Sequence, residues 1–241
     1  MTTPRGVFEF LHFMTSRWEE RARLNHRYFT DNLNFDSDEA WNRQSEEDVA
    51  LILHSVPETE TSGGRLLEIG CGPGRLLSRM APRFRTLVGV DLAPTMLREA
   101  RDACRVRDNV SLVLSKGYDL GFFRDRSFDF IVMFAVAIHV PREIVHSYIR
   151  ESRRVLRPGG RFRFTLRREI TDPGEQAQLE QFIEVQVKRI PEDAEPFTHG
   201  PDWLGHCFRD GEVEPFLDEF GFAGVAVQKC NPVTFMVEVR G

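Results

Sequence analysis

Residues Leu66 to Gly74 read LLEIGCGPG, and this stretch decides how the chain is expected to fold. An apolar run meets three glycines at alternating positions, Gly70, Gly72 and Gly74, and a mostly apolar run follows. The pattern predicts a buried strand, a tight turn and the start of a helix. Glycine has no Cβ, so such a loop lets a ligand touch the backbone. The loop is also expected to direct free N–H groups and the positive end of the helix at that ligand.

The spacing of the glycines separates two kinds of ligand. A dinucleotide-binding loop follows the pattern G-x-G-x-x-G. Counted from Gly70, its third glycine would fall where this chain has Arg75. The pattern present is instead E-x-G-x-G-x-G, from Glu68 to Gly74. A nicotinamide-dependent oxidoreductase therefore remains only as the less favoured enzyme class.

The next apolar run supports a nucleoside ligand. Residues Thr86 to Val90 read TLVGV, which predicts a second strand that ends at Asp91. The interval between the two strands fits one helix, from Arg75 to about Pro82. An acid at the end of the second strand is placed to accept both hydroxyls of a ribose.

Several further stretches resemble one family in the order in which that family carries them. The glycine pattern resembles motif I of the class I S-adenosylmethionine (SAM)-dependent methyltransferases, and VGVDLAPTML resembles the sequence that usually follows motif I in that family. The stretches RSFDFIVM, IHVP and RVLRPGGRF are similar to the family's fourth strand, the loop after it and the entry to the fifth strand. The resemblance covers about Arg65 to Leu166. It implies a Rossmann-like α/β fold with a seven-stranded, mostly parallel sheet, a C-terminal antiparallel hairpin, and SAM as cofactor.

The same resemblance assigns candidate residues to the cofactor. These are Arg21, Glu68, Gly70, Cys71, Gly72, Gly74, Asp91, Leu92, Met96, Gly117, Tyr118 and Phe134. In this assignment Asp91 binds the ribose, Leu92 and Met96 flank the adenine, and Arg21 meets the SAM carboxylate. Core packing alone would explain Met96 equally well, and a solvent-facing helix position would explain Arg21.

The adenine contacts depart from the usual pattern of the family. Many members have an acid where this chain has Lys116. The turn at Gly117-Tyr118 resembles a glycine-containing variant in which backbone groups read the adenine edge. Asp119 is expected to stabilise that turn rather than replace the acid.

His139 is the candidate catalytic residue. It lies in the loop after the predicted fourth strand, Phe128 to Met133, at the sheet edge where open α/β sheets bind ligands. A histidine there is suited to act as general base for an acidic O–H or N–H acceptor. The alternative is a histidine bonded to backbone at a helix entry, since Pro141 begins the next helix.

Residues 1–64 are expected to form an N-terminal helical lid over the methyltransferase domain, 65–241. Helices are predicted over Val7 to Asp31, with an interruption at Thr15-Ser16, and over Asp38 to His54, with Ser37 or Asp38 as N-cap. By resemblance, Tyr28 or Trp41 would line the pocket.

An insertion at about 170–209 is expected to shape the acceptor pocket. It is predicted to contain a helix from about Gly174 to Lys188. His199, Trp203 and His206 follow within a few residues, which fits either an aromatic acceptor and a base or ordinary packing.

Arginines mark the end of the amphipathic helix predicted over Pro141 to Leu156, and they also mark the fifth strand. Arg150, Arg153, Arg154 and Arg157 are expected to form a solvated face, because Glu143 and Glu151 lie among them. Pro158-Gly159-Gly160 predicts a turn into the strand. In that strand Arg161 and Arg163 must reach solvent or pair with acids, while Arg167 and Arg168 could meet an anionic acceptor.

The composition of the chain argues against several classes of binding partner. The net charge of −5 gives no electrostatic support for a nucleic-acid substrate, and no apolar run approaches the length that a membrane helix needs. Four widely spaced cysteines and the absence of a signal peptide predict a cytoplasmic protein with reduced thiols and no metal site. We expect a monomer or homodimer that methylates a small molecule on oxygen or nitrogen. A non-catalytic SAM-binding or interaction protein on the same fold is the alternative.

Overall fold

The structure of the protein is a computed structural model that describes residues 4–31, 34–177, 180, 205–231 and 233–241. The chain divides into two compact units. The first unit consists of Met1–Gly121 and Phe128–Phe130, and the second of Phe122–Ser127 and Ile131–Gly241.

The first unit contains three parallel strands and the N-terminal helices. The strands are β1 (Arg65–Ile69), β2 (Thr86–Asp91) and β3 (Val110–Leu114). The helices are α1 (Pro4–Thr30), α2 (Asp38–Ile52), α3 (Glu58–Thr61), α4 (Leu77–Met80) and α5 (Pro94–Ala103). Strand β1 pairs with β2, and β2 with β3, both parallel. Strands β1 and β2 are buried almost throughout, which explains why their sequences are largely apolar.

The second unit contains the antiparallel end of the fold. Its elements are the last residues of β4 (Phe128–Met133), then α6 (Arg142–Val155), β5 (Leu156–Arg168), β6 (Cys207–Phe208), α7 (Val213–Asp218), β7 (Gly224–Asn231) and β8 (Thr234–Arg240). The strand order is β3-β2-β1 in the first unit and β4-β5-β8-β7 in the second, with β6 beside β5. Strands β7 and β8 pair antiparallel, and β8 pairs antiparallel with β5. The predicted mixed sheet with a closing hairpin is confirmed, and the two-residue strand β6 is an addition that the sequence did not suggest.

The first helix is interrupted at a different place from the one predicted. At Thr15 and Ser16 the helix continues, and each hydroxyl donates to the carbonyl four residues earlier, at 2.8 Å and 3.0 Å. The helical conformation instead breaks at Asn25, where φ is −164° and ψ is 93°. The cap of α2 is as predicted, since the hydroxyl of Ser37 accepts from the N–H of Ala40 at 3.1 Å.

The predicted turn at Pro158-Gly159-Gly160 belongs to strand β5. The N–H of Gly159 donates to Gly241 at 3.0 Å, and the N–H of Gly241 donates to Gly160 at 2.9 Å. Gly241 thus continues the strand ladder as far as the two glycines. The sequence could not show this, because the pairing partner lies about eighty residues away.

The arginines of β5 pair with acids, which is one of the two outcomes that their alternation required. Arg161 and Arg163 are both buried and both bind Glu238 on the neighbouring strand β8. Arg168 is also buried, and its guanidinium binds Glu175 at 2.6 Å and Asp210 at 3.1 Å. Its charge is therefore already paired with two acids, of which Asp210 is exposed and Glu175 is partly exposed.

Candidate active site

The glycine loop is held in shape by its own backbone hydrogen bonds. Gly70, Gly72 and Gly74 all have positive φ, of 69°, 51° and 77°, which L side chains rarely adopt. The N–H groups of Gly70 and Cys71 both donate to Val90, at 2.8 Å and 3.0 Å, and that of Gly74 donates to Cys71 at 3.0 Å. The expectation of free N–H groups is therefore wrong for these residues. The loop offers a ligand close approach to backbone instead.

The helix after the loop is shorter than predicted. Helix α4 begins at Leu77 and ends at Met80, and a 3₁₀ turn, Ala81–Arg83, follows it. A four-residue helix has only a small macrodipole, so its contribution to ligand binding is smaller than the sequence suggested. Arg75 and Leu76 precede the helix and serve other contacts.

Asp91 ties the glycine loop to the start of α5. One carboxylate oxygen accepts from the N–H of Gly72 at 2.9 Å, and the other accepts from the N–H of Ala93 at 2.9 Å. Burial raises the pKa of Asp91, and these backbone hydrogen bonds act in the opposite direction. Each carboxylate oxygen has two lone pairs, so both oxygens retain acceptor capacity for a ribose.

Two glycines of the loop have different surroundings. A Cβ on Gly72 would lie 4.0 Å from the hydroxyl of Thr30, which is ordinary van der Waals contact. A Cβ on Gly74 would lie 2.9 Å from the backbone of Ala100 in α5. Gly74 is therefore needed for helix packing, whereas the side-chain position of Gly72 is open towards the end of α1.

Glu68 is a buried carboxyl group beside the loop. Its side chain is 3% exposed, and Oε2 has no hydrogen-bond partner among the described residues. Burial raises the pKa of Glu68 to about 8, although the nearby charge of Arg75 opposes the rise. Asp91 raises the pKa of Glu68 further. The carboxyl of Glu68 is consequently neutral near pH 7 in the folded protein.

This raised pKa predicts a pH-dependent stability. Between the unfolded value of 4.5 and about 8, the folded protein holds one proton more than the unfolded chain. The free energy of unfolding therefore falls as pH rises through that range, by up to about 1.4 kcal/mol per pH unit. Glu68→Gln stays neutral, so we expect it to remove this slope. In urea unfolding, the free energy of unfolding of the variant should then rise relative to that of the wild type between about pH 5 and about pH 9. Parallel curves for the two proteins would contradict the assignment.

Arg75, at the position of the missing third glycine, fastens α2 to the loop. Its guanidinium forms an ion pair of 2.6 Å with Asp48 and lies 5.7 Å from the ring centre of Trp41. The side chains of Arg75 and Asp48 are only 6% and 13% exposed. Trp41 is covered by this guanidinium and by that of Arg27, so its ring is part of the packing of α2.

Helix α1 is attached to α5 through a cap supplied from a distance. Ala93, the N-cap of α5, has no side-chain acceptor. The carboxylate of Glu19 in α1 takes that role, because it accepts from the N–H of Thr95 at 2.9 Å and from the hydroxyl of Thr95. One indication of a cap from elsewhere was present in the sequence, because the residue before Pro94 is an alanine, which cannot cap a helix with its side chain.

The predicted adenine neighbours are in contact with α1. Met96 is buried and packs with Ala93 and Ala22, and Leu92 and Trp18 pack against this cluster. Gly117 has a φ of 83°, and a Cβ there would lie 3.1 Å from Leu92 and 3.4 Å from Leu11. The structure thus brings Leu92, Met96 and the Gly117 turn together with the N-terminal helix.

The remaining predicted residues of this unit are placed as follows. Arg21 is buried, and its guanidinium lies 5.0 Å from the ring centre of Trp18 and 5.6 Å from that of Phe29. Lys116 is exposed, and Asp119 accepts from the N–H of Gly121 at 3.3 Å, which fits its predicted role in the turn. The side chain of Tyr28 lies outside the described part.

In the second unit, Phe134 and His139 lie in the loop after β4. Ala135 between them has a φ of 58°, and its N–H donates to the hydroxyl of Thr165 at 2.8 Å. His139 ends a 3₁₀ turn, Ala137–His139, and its N–H donates to Val136 at 3.0 Å. Pro141 is the N-cap of α6 rather than its first residue.

A second histidine segment approaches this loop. A Cβ on Gly205 would lie only 2.0 Å from the carbonyl of Ile138, so glycine is required at that position. His206 follows, with its ring 4.6 Å from that of Phe208. Burial lowers the pKa of His206, and the charge of Arg142 lowers it further. His199 and Trp203 lie outside the described residues, as does most of the predicted helix, of which residues 173–177 are helical.

A mostly parallel α/β sheet with a glycine loop after its first strand and an acid ending its second strand is typical of nucleoside-binding proteins of the Rossmann-like class. Residues 67–164 match the family model described as a methyltransferase domain. The demethylmenaquinone methyltransferase of Tropheryma whipplei is 26% identical over 174 residues, which cover 71% of each chain. The fatty-acid O-methyltransferase of Mycolicibacterium smegmatis is 34% identical over 122 residues, 48% of this chain and 42% of that protein.

A solved structure supports the fold. The structure of DhpI in complex with S-adenosylhomocysteine (SAH) superimposes on this chain with a TM-score of 0.63 and 17% sequence identity. The match covers 95% of this chain and 96% of DhpI. These comparisons identify residues 67–164 as a methyltransferase domain and support a SAM-dependent methyltransferase with SAM as its cofactor. Across the parts that the structure describes, no helix is both long and apolar enough to cross a bilayer.

Proposed function

We propose that this methyltransferase transfers the methyl group of SAM to an oxygen or nitrogen atom of a small-molecule acceptor, such as a natural product or other metabolite. The names of the relatives support this class, since both a demethylmenaquinone and a fatty-acid methyltransferase are among them. The net charge of −5 gives a nucleic-acid acceptor no electrostatic support. The observation that carries the proposal is the bonding of Asp91 to Gly72, which shapes the cofactor loop.

The residues around the loop fit the cofactor. Asp91 retains lone pairs for the two ribose hydroxyls, and the open side of Gly72 allows backbone contact. We assign the adenine to Leu92, Met96 and the Gly117-Tyr118 turn. The remaining assignments follow the family pattern and are Arg21, Glu68, Gly70, Cys71, Gly74 and Phe134.

Bound SAM supplies an electrophilic methyl carbon on a sulfonium, which an acceptor atom displaces in line. The chain's contribution is to hold the acceptor atom at near-attack distance and to keep water away. A base is needed only for an acceptor that arrives protonated. His139 is our candidate for it. His206 is a second candidate because its lowered pKa keeps the imidazole neutral and able to accept a proton.

The organisation that we propose follows from the same family pattern. Residues 1–64 act as a lid, residues 65–241 form the methyltransferase domain, and the insertion at about 170–209 shapes the acceptor pocket. The attachment of α1 to α5 through Glu19 supports the lid assignment. We further propose a cytoplasmic monomer or homodimer that acts on neither nucleic acid nor membrane.

Calorimetric titration of the purified protein with SAM, S-adenosylhomocysteine and NAD tests the cofactor site. Micromolar binding of the first two without NAD supports it, whereas binding of NAD alone would overturn the reading of the glycine loop. Release of S-adenosylhomocysteine with quinol, fatty-acid and polyketide acceptors then tests the acceptor class. A protein that binds SAM yet methylates only nucleic acid or protein would contradict the small-molecule proposal.

Asp91→Ala is expected to weaken SAM binding by about 2–3 kcal/mol, roughly 30- to 150-fold. The substitution removes the ribose acceptor and releases the N–H groups of Gly72 and Ala93. Asp91→Asn keeps one acceptor oxygen and should lose less. Asp108→Ala, at an exposed position, is the control for lost charge. Equal dissociation constants for folded Asp91→Ala and wild type would remove Asp91 from the site.

A further inference from the structure

A cavity in the second unit is lined by none of the residues assigned to methyl transfer. Its volume is about 280 Å³, and it is lined by Asp125, Arg126, Arg150, Arg153, Arg154 and Leu156. The lining comes from the loop before β4, from the last two turns of α6 and from the start of β5. These segments lie at the amino end of β4 and β5, whereas Phe134 and His139 follow the carboxyl end of β4.

The charge of this cavity is strongly positive in a protein whose net charge is negative. Four guanidinium groups line it, and Asp125 is the only carboxylate among the lining residues. A second carboxylate, that of Glu151, lies next to the cavity because it binds Arg154. Two positive charges therefore remain. The C-terminal end of a helix adds about half a negative charge, which is too little to neutralise them.

One of the four arginines is already saturated by the protein. Arg154 binds Glu151 with two nitrogens, at 3.1 Å and 2.7 Å, and binds Asp125 and the carbonyl of Phe123, each at 2.8 Å. These bonds raise the pKa of Arg154, chiefly through Glu151. Both carboxylates thus bind Arg154, and this group of three carries one net negative charge. Two of the three positive charges on the other arginines therefore stay uncompensated.

The other three arginines retain hydrogen-bond donors. Arg153 donates through Nε to the carbonyl of Gly221 at 3.2 Å and lies 5.8 Å from the ring centre of Phe222, which fixes its position. Its two terminal nitrogens have no partner among the described residues. No hydrogen bond or ion pair within the described part of the chain engages the side chains of Arg126 and Arg150.

The loop that carries Arg126 is held rigidly in an unusual conformation. Arg126 has a φ of 53°, a left-handed value that costs a non-glycine residue roughly 1–2 kcal/mol. Its N–H donates to the carbonyl of Arg154 at 3.0 Å, and its own carbonyl accepts from Arg157 at 3.2 Å. The N–H of Ser127 donates to Val155 at 2.7 Å. The start of this side chain is therefore fixed beside the cavity.

A solvated helix face, as predicted for Arg150, Arg153 and Arg154, would need neither a concave shape nor a contribution from a separate loop. We infer that this arginine cavity binds a dianionic phosphoryl group, as carried by a phosphate monoester. Guanidinium groups match phosphate oxygens with paired N–H donors. The small concave volume favours one phosphoryl group over an extended acidic protein surface.

The test measures phosphate binding by the full chain without reference to methyl transfer. Inorganic phosphate and pyrophosphate are titrated at low salt while the arginine Nε–H signals are followed by NMR. We expect saturable shifts at Arg153, and a dissociation constant at least about tenfold higher in the double variant Arg126→Ala/Arg150→Ala. Arg101→Ala/Arg105→Ala, at two exposed positions of the first unit, removes the same charge and should bind like the wild type.

A second arm distinguishes the source of the phosphoryl group. Flotation with vesicles of phosphatidylcholine, with and without phosphatidic acid, tests a lipid headgroup against a free phosphate monoester. Dependence on Arg126 and Arg150 in either arm supports the inference. Equal losses in both double variants would show a bulk charge effect and overturn it, as would the absence of saturable binding in both arms. Unchanged SAM binding and circular dichroism confirm that the double variant is folded.

Discussion

Gly72→Val is expected to reduce SAM affinity by at least about 1,000-fold, or about 4 kcal/mol, and also to lower stability through backbone strain at a φ of 51°. Gly72 is open on its side-chain position, where the nearest atom to an added Cβ is the hydroxyl of Thr30 at 4.0 Å. A side chain there fills the space through which a ligand would touch the loop backbone. Gly72→Ala adds a single carbon, so a smaller loss of about 100-fold is expected.

Gly74→Ala provides the matched comparison within the same loop. Its Cβ would lie 2.9 Å from the backbone of Ala100, and its φ is 77°. The conformational strain and the clash together are expected to lower the free energy of unfolding by about 2–4 kcal/mol. Calorimetric titration with SAM and urea unfolding should therefore separate the two glycines. If folded Gly72→Ala binds SAM like the wild type, the ligand does not approach this loop.

Asp48→Ala is expected to lower the free energy of unfolding by about 3–5 kcal/mol. The substitution leaves the guanidinium of Arg75 buried without its 2.6 Å partner. Urea unfolding measures the loss. Glu47→Ala, which removes an exposed carboxylate from the preceding position of the same helix, should change stability by less than about 0.5 kcal/mol.

The double variant Asp48→Leu/Arg75→Met tests the cause of that loss. Replacing both charges by apolar groups removes the uncompensated cation, so most of the stability should return. A double variant as unstable as Asp48→Ala would show that the ion pair itself, rather than the buried charge, holds α2 to the loop. SAM affinity measured on the same variants reports whether this attachment also positions the cofactor loop.

The sequence by itself determined the central strands and the cofactor loop. Strand β4 begins and ends where its apolar run predicted, because a strand that is buried on both faces must be mostly apolar. The spacing from Glu68 to Asp91 fixed the loop and the acid that follows it. These signals are local, and each depends on residues within one strand–loop–helix segment.

Tertiary structure decided which groups complete the loop. In the sequence, Arg75 was notable only because it stands where a dinucleotide-binding loop has its third glycine. In the structure its guanidinium binds the carboxylate of Asp48, twenty-seven residues earlier. The cap of α5 comes from Glu19, and the ladder of β5 is continued by Gly241. The arginine cavity likewise joins a loop and a helix end that are about twenty-five residues apart. A buried ion pair, a cap from another helix and a cavity each need two distant segments, and no local pattern of residue types specifies the partner.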